Sequence, residues 1–390
     1  MKRIGEEEIR ERMKKFINQK DMKQTNTADV FGLIRKCGRI TRRQIADKTQ
    51  LSWGAVSTIT ARLIEEGYVV EVKADEGGVG RTPYYLEVDV SHRFALGVDV
   101  NCSGFRAVLM NLRNEVVDTV TAEADMSDRE HLLSGICRII ERAMALAGDR
   151  RIICIGIAMQ GIVDSERGIS VSLGGCRGWE DVPLSYILEG KFGLTVHVEH
   201  DPNCILYALQ GHPRKDIALV RIDRGIGMAV MLGGRIIDKP GIFELGHTVV
   251  RPDGEKCSCG RRGCLELYAS MSGMERLSGL DFSTLAEKAR AGDADAVARF
   301  DYMAKSLSLA AVNAAMLMGL ESLVLCGDMC EYKDLFFSRF EEQKKILDPN
   351  GGIAVDFADV GMAAKGSAML ATRIALSSIS PEKDQNDQIK

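Results

Sequence analysis

Two stretches of this chain repeat one pattern. "ALGVDVNCSGFRAVLMNLRNEVV" (95–117) and "ALVRIDRGIGMAVMLGGRII" (218–237) each read as an apolar strand, a turn, a second strand and a tight Gly- or Asn-bearing turn. Helix and strand alternation follows each: "VHVEHD" and then a helix in the first half, "SLVLCGD" and then a helix in the second. Alternation of that kind builds parallel sheet, while the tight turns demand antiparallel neighbours. A duplicated α/β unit in which antiparallel strands lead into parallel ones implies two lobes with a cleft between them. Such clefts are where small ligands bind. A last helix is expected over roughly 362–377, followed by a polar tail at 378–390.

At 390 residues the chain has room for two or three domains. Its 45% apolar and 27% charged residues exclude wholesale disorder. The first twenty residues, "MKRIGEEEIRERMKKFINQK", read as a charged helix rather than a charged-then-apolar leader. The longest apolar run, near "LAAVNAAMLMGL" (309–320), is too short to span a bilayer and is interrupted by Asn313. The expectation is a cytoplasmic protein with no membrane partner. Most of the 11 cysteines stand singly in apolar runs, as Cys154 does in "RIICIGIA". In a reducing compartment they are small buried hydrophobes.

Charge is unevenly spread. Residues 1–90 carry 17 Lys+Arg against 14 Asp+Glu, and the remaining 300 carry 34 against 41. A mildly basic end on an acidic body suits a polyanion partner at that end, and chance scatter of charge accounts for it equally well. "TADVFGLIRKCG" (27–38) has Val30, Phe31, Leu33 and Ile34 at helical spacing and stops at Gly38. Thr41 with Gln44 three residues later forms a capping box for a second helix, and Ser52 caps a third, "WGAVSTITARLIEEG". There Val56, Ile59 and Leu63 form an inward stripe, with Gly54, Ser57, Thr58 and Ala61 pointing away. This is the helix-turn-helix layout, whose second helix enters the major groove N-terminus first; the alternative is a small helical bundle with a surface hairpin that binds protein. Ser52, Trp53, Gly54, Ser57 and Thr58 are therefore the candidates for DNA contact. "YVVEVK" and "YYLEVD" around "ADEGGVGRTP" read as a hairpin wing with Arg81 at its tip. A guanidinium on a narrow glycine-rich tip suits an A·T-rich minor groove.

In the body, Asp201 in "VEHDPN", Glu244 in "GIFELGHT" and Glu266 in "GCLELY" are the candidate cleft carboxylates. Such groups suit vicinal hydroxyls, and Asp201 could accept a proton from one or act only as a helix cap. "GHTVVRPDGEKCSCGRRGC" supplies His247, Cys257, Cys259 and Cys264, which match a closed Cys3His zinc site. Four protein ligands leave no open position on the metal, so the role is structural. The metal would pin residues 244–266 and both glutamates with them.

Together these motifs resemble the ROK family of repressors and sugar kinases. The resemblance rests on "GIAMQGIVD" (156–164), "GWEDVPL" (178–184), "VEHDPN" (198–203), "GIFELGH" (241–247) and "CSCGRRGCLE" (257–266). It implies a two-lobed actin-like, ribonuclease-H-like α/β fold. The winged helix ending in "GGVGRTP" is similar to the DNA-binding half of the family's regulators, which its kinases lack. In the kinases the motif corresponding to "EHDPN" is Asn-Asp-Ala-Asn. Asp201 thus stands where the catalytic base does, His200 replaces a sugar-binding asparagine, and Asn203 is kept. Glu244, His247 and Glu266 fall on sugar-binding positions, His247 doubling as a zinc ligand. Family kinases carry Asp-x-Gly-Gly-Thr at the first phosphate loop. Here the turn is Asp99-Val100-Asn101-Cys102-Ser103, whose side chains obstruct close backbone approach to a phosphate. Arg224 and Met228 in "DRGIGMA" and Asp328 in "LCGDMC" depart in the same direction.

The expected organisation is a winged helix over 1–90, a first lobe over 91–212 joined by the helix at about 362–378, and a second lobe over 213–361. The expected function is that of a sugar-responsive transcriptional regulator, a repressor similar to those for xylose- and N-acetylglucosamine-type sugars. It would hold structural Zn2+ and bind double-stranded operator DNA at an inverted repeat as a homodimer or homotetramer. A sugar would be bound by His200, Asp201, Glu244, His247 and Glu266, without catalysis. The alternative is a ROK sugar kinase with an appended DNA-binding domain.

Overall fold

The computed structural model describes residues 26–73, 84–209, 214–237, 239–359 and 361–377. A helix over 26–37 is followed by helices Arg42–Thr49 and Trp53–Glu65. The capping box forms as expected. The Gln44 amide donates to Thr41 Oγ1 while Gln44 Oε1 accepts from the Thr41 amide at 3.0 Å. Gln50 takes the left-handed conformation that ends the second helix, and Ser52 Oγ accepts from the Ala55 amide to start the third. The inward stripe differs in one residue. Val56, Thr60 and Leu63 are buried, whereas Ile59 is only half-buried. Thr60 tolerates this because its hydroxyl donates to the Val56 carbonyl and accepts from Arg42 Nε, so nothing polar is left unmet.

Strands Val69–Lys73 and Tyr84–Val88 pair antiparallel, and Ile40 bridges to Leu86, giving the winged-helix sheet. The wing tip with Arg81 lies outside the described residues.

The duplication is visible in the sheets. The first has the order Val116–Ala122, Gly104–Asn111, Arg93–Asn101, Arg151–Met159, Thr195–His200. The second has Arg235–Ile236, Ile226–Leu232, Ile217–Ile222, Ser322–Cys326, Ala354–Phe357. In each, three strands form an antiparallel meander and two more run parallel to its first strand.

Burial on both faces explains the continuous apolar run of the strand Arg93–Asn101. Phe94, Leu96, Val98 and Val100 pack with Ile136, Ile139 and Ile140 of helix Arg129–Ala147. The opposite face meets helix Met362–Ser377 through Ala95 and Gly97. Contact there is so close that a Cβ on Gly97 would stand 1.9 Å from the Ala364 carbonyl oxygen, and one on Gly156 would stand 2.0 Å from that of Ser367. The last helix therefore belongs with the first lobe, although it follows the second in sequence. Helix Asp201–Ala208 is shared. Cys204, Ile205 and Leu206 pack against Ile217, Leu219 and Val324 of the second sheet, while a Cβ on Gly366 of the last helix would meet the Cys204 carbonyl oxygen at 1.7 Å. Among the described residues no helix is long and apolar enough to cross a membrane.

Candidate sensor cleft and nucleic-acid interface

The floor of the cleft is an arginine that sequence reasoning missed. Arg221 sits in the second lobe's strand Ile217–Ile222 and reaches three carboxylates. Its Nη1 and Nη2 donate to Asp99 Oδ1 and Oδ2 at 3.3 and 3.2 Å, Nη1 lies 2.8 Å from Asp201 Oδ2, and Nε donates to Asp223 Oδ2 at 2.6 Å. Asp99 and Asp201 come from the first lobe, so the guanidinium joins the lobes. All four groups are nearly sealed, with Asp99 1%, Asp201 3%, Arg221 3% and Asp223 5% exposed. Burial pushes the Asp99 and Asp201 carboxyls up to about 6 against the pull of Arg221. For Arg221, burial works downward, but the carboxylates outweigh it and hold the guanidinium firmly charged. The signal in the sequence was a lone arginine in the apolar run "ALVRI", which can be buried only with partners.

The turn at 101–103 is internally satisfied. Asn101 Nδ2 donates to Asp99 Oδ2, Asn101 Oδ1 accepts from the Ser103 amide at 2.8 Å, and the Cys102 amide donates to Gln160 Oε1 at 2.9 Å. The Asp328 amide donates to Asp223 Oδ1, and Arg224 pairs with Glu275 at 2.7 Å.

Of the predicted sugar residues, His200 and Glu244 line one cavity together with Asn203, Gly161 and Met228. His200 is the residue that caps helix Asp201–Ala208, and Asp201 is its first residue. His200 Nε2 lies 3.5 Å from Asp201 Oδ1, and Asn203 Nδ2 donates to Glu199 Oε1. Glu266 Oε2 accepts from the Ile226 amide at 3.2 Å and lies against Gly225 and Gly246. His247 instead points to the cysteines, its Nδ1 3.8 Å from Cys257 Sγ. The cavity is about 20 Å³. That is room for one water, so a pyranose enters only if the lobes part. A larger cavity of about 540 Å³, between the cysteine loop and helix Ala294–Met318, contains none of these residues. The small cavity is the better candidate because the convergent polar groups are there.

Ligand atoms of His247, Cys257, Cys259 and Cys264 all lie within 4.8 Å of one another, with Cys259 Sγ and Cys264 Sγ 3.6 Å apart. Donors bound tetrahedrally at zinc distances stand about 3.5–3.8 Å apart, so the donor set fits the metal. The fold of the loop brings them there. Val249 bridges to Cys264 and Lys256 to Arg262, and Gly263 takes a positive φ where a Cβ would strike the Arg251 carbonyl.

On helix Trp53–Glu65 the structure places Ser52, Trp53, Gly54 and Thr58 in solvent and Ser57 at half exposure, opposite Val56, Thr60 and Leu63. Trp53 is 59% exposed. Arg43 and Lys48, on the preceding helix, are also exposed and extend the surface that a phosphate backbone would meet.

Comparison with known proteins agrees with this layout. Residues 29–70 match a winged helix-turn-helix DNA-binding family. The chain is 29% identical over 335 residues to the DNA-binding transcriptional dual regulator NagC of Escherichia coli, covering 80% of this chain and 82% of that one. A solved ROK family transcriptional regulator, described as a homologue of the E. coli MLC protein, superposes with a TM-score of 0.78 at 21% identity, covering 92% of this chain and 98% of that one. A ROK family glucokinase from Streptomyces griseus, solved with glucose and AMPPNP, matches 72% of this chain and 99% of its own with a TM-score of 0.63 at 21% identity. The fold is thus a winged helix-turn-helix followed by the two-lobed actin-like body. With residues 95–369 matching the family directly, the chain belongs to the ROK family.

Proposed function

We propose that this protein is a sugar-responsive transcriptional repressor. The observation that carries the reading is the joining of an exposed recognition helix to a kinase-like body whose would-be base is clamped by Arg221 and whose phosphate-side amides are occupied. Arg221 occupies one oxygen of an Asp201 carboxyl that is sealed from the cleft, and a turn satisfied by its own side chains offers no cradle for a nucleotide. The body is then a sensor rather than a kinase. Similarity to NagC and to a xylose repressor of Caldicellulosiruptor bescii supports the same reading.

Residues 1–90 read DNA, with Ser52, Trp53, Gly54, Ser57 and Thr58 facing the major groove and Arg81 the minor groove. The two lobes span 91–212 with the last helix and 213–361. His247, Cys257, Cys259 and Cys264 hold one zinc ion, which supplies no reaction chemistry and fixes the loop carrying Glu244 against the helix carrying Glu266. His200, Asp201, Glu244, His247 and Glu266 contact the sugar, which enters as the lobes part. In a homodimer or homotetramer that motion changes the spacing of the two winged helices. DNA half-sites lie ~34–36 Å apart, so a shift of a few Å weakens binding.

Fluorescence anisotropy on the protein's own promoter DNA at fixed salt, repeated with a panel of free and phosphorylated sugars, tests the proposal. One sugar should shift the affinity about tenfold, ~1.4 kcal/mol of coupling. Sugar-dependent ATP consumption by the purified protein would reverse the assignment in favour of a kinase.

A further inference from the structure

Between the first helix of the winged domain and the sensor lies a cavity of about 250 Å³ that has no part in the sugar cleft. Asp29, Phe31 and Arg35 line it from helix 26–37, and Tyr207, Arg373 and Leu376 line it from the first lobe. Two guanidiniums therefore converge on one space. Arg35 is half-buried, and its only side-chain hydrogen bond among the described residues goes to the neutral Asn114 Oδ1 at 2.9 Å. Arg373 shares the cavity with Tyr207, and its half-exposed guanidinium stands 3.9 Å from the half-exposed Asp29, a long pair. One carboxylate thus faces two cations. Burial together with the nearby Arg373 depresses the Arg35 pKa, although Tyr207 opposes the shift. The Arg35 guanidinium, stacked over the Phe31 ring at 5.8 Å, has no acidic partner among the described residues, and the half-exposed Arg373 on the same cavity adds a screened repulsion.

We propose that this seam is a binding site for a phosphate-class dianion, either inorganic phosphate or a small phosphate monoester. Two planar forks can each pair with a tetrahedral anion, and the Tyr207 hydroxyl on the same cavity has a proton to donate. Phe31 and Leu376 give the cavity an apolar wall for a short organic tail. Because the anion touches both the winged domain and the sensor, its binding fastens one to the other.

Calorimetric titration of the full chain with sodium phosphate, against sodium chloride at equal ionic strength and pH 8, tests the site. The expected result is saturable binding of one phosphate per chain. The double variant Arg35→Gln with Arg373→Gln should weaken it tenfold or more. A parallel titration with glycerol 3-phosphate separates the sources: tighter binding than phosphate assigns the site to a monoester, and equal binding assigns it to the free ion. Arginine modification by phenylglyoxal, read by peptide mass spectrometry, needs no variant. Phosphate should slow modification at Arg35 and Arg373 and leave the exposed Arg167 unaffected. Absence of saturable binding at millimolar phosphate, unchanged binding in the double variant, or no selective protection would each overturn the proposal. None of these readouts involves DNA or sugar, so the site stands or falls separately from the repressor reading.

Discussion

Arg221→Met would keep the aliphatic stem and remove the charge. Asp99, Asp201 and Asp223, each 1–5% exposed, would then share one site with no arginine or lysine among their described partners, leaving only the His200 imidazole 3.5 Å from Asp201. Removing one member of a buried ion pair costs about 3–5 kcal/mol. The carboxylates can reduce that cost by holding protons, so the loss must depend on pH. In the wild-type protein burial already places Asp99 and Asp201 at about 6, above their ordinary 3.8. The folded state then binds more protons than the unfolded state between those values. Their contribution therefore falls as pH rises from about 4 to about 6 and is level above that range. Without Arg221 the folded pKa values move higher and the falling range extends upward. One extra retained proton gives a slope of about 1.4 kcal/mol per pH unit. The deficit of the variant should accordingly grow by about 2–3 kcal/mol between pH 6 and pH 8. Urea unfolding at pH 6, 7 and 8, followed through the fluorescence of the buried Trp179, measures it. A deficit below about 1 kcal/mol at pH 8, or one that does not change with pH, would refute the counter-charge role of Arg221.

Other consequences are equally measurable. Denatured protein should release one zinc per chain to a colorimetric chelator, and Cys264→Ser should abolish that release and lower the Tm. Gly156→Ala forces a Cβ to within 2.0 Å of the Ser367 carbonyl oxygen and should cost about 3 kcal/mol of stability by urea unfolding, near the upper end for overpacking. Ser57→Ala with Thr58→Ala should weaken binding to promoter DNA about tenfold while changing non-specific binding little, whereas Arg43→Ala should weaken both and flatten the salt dependence. Arg81→Ala should lose more affinity on A·T-rich than on G·C-rich flanks.

The sequence made legible whatever depends on local chemistry. Thr41 and Gln44 could be read as a capping box because every atom involved lies within one turn. The two strand–turn–strand units announced two lobes because tight turns permit only antiparallel neighbours. The cysteine spacing and His247 announced a shared donor set, which the loop assembles. Ile59 was misplaced for a subtler reason. Positions 59 and 60 both continue a helical stripe from Val56, and only tertiary contact with Arg42 decides that Thr60 takes the buried one. Arg221 was missed because its partners, Asp99 and Asp201, come from distant parts of the chain. The closed state of the cavity at His200 and Glu244 was invisible too, since it depends on how far the lobes are apart.

Helix Asp201–Ala208 offers a physical route from sensor to DNA. Asp201 and Tyr207 are separated by about 9 Å along its axis. At one end Arg221 holds Asp201 across the lobes, and at the other Tyr207 lines one cavity with Arg373 of the last helix. Gly366 packs on the Cys204 carbonyl with no space for a side chain, so the two helices must move as one body. The last helix then delivers Leu376 into the winged domain's core beside Phe31, Val30 and Leu112. A sugar that changes the grip of Arg221 on Asp201 therefore shifts the base on which the winged helix stands. Tyr207→Phe removes the hydroxyl that shares the seam with Arg373 and leaves the packing in place. The variant should bind promoter DNA and sugar with affinities close to wild type, but the tenfold effect of sugar on DNA binding should shrink to about threefold, ~0.7 kcal/mol of remaining coupling. Anisotropy titrations with and without the sugar measure the ratio directly. If the ratio stays at tenfold, the signal does not pass through the Tyr207 hydroxyl, and the apolar contact at Leu376 must carry it alone.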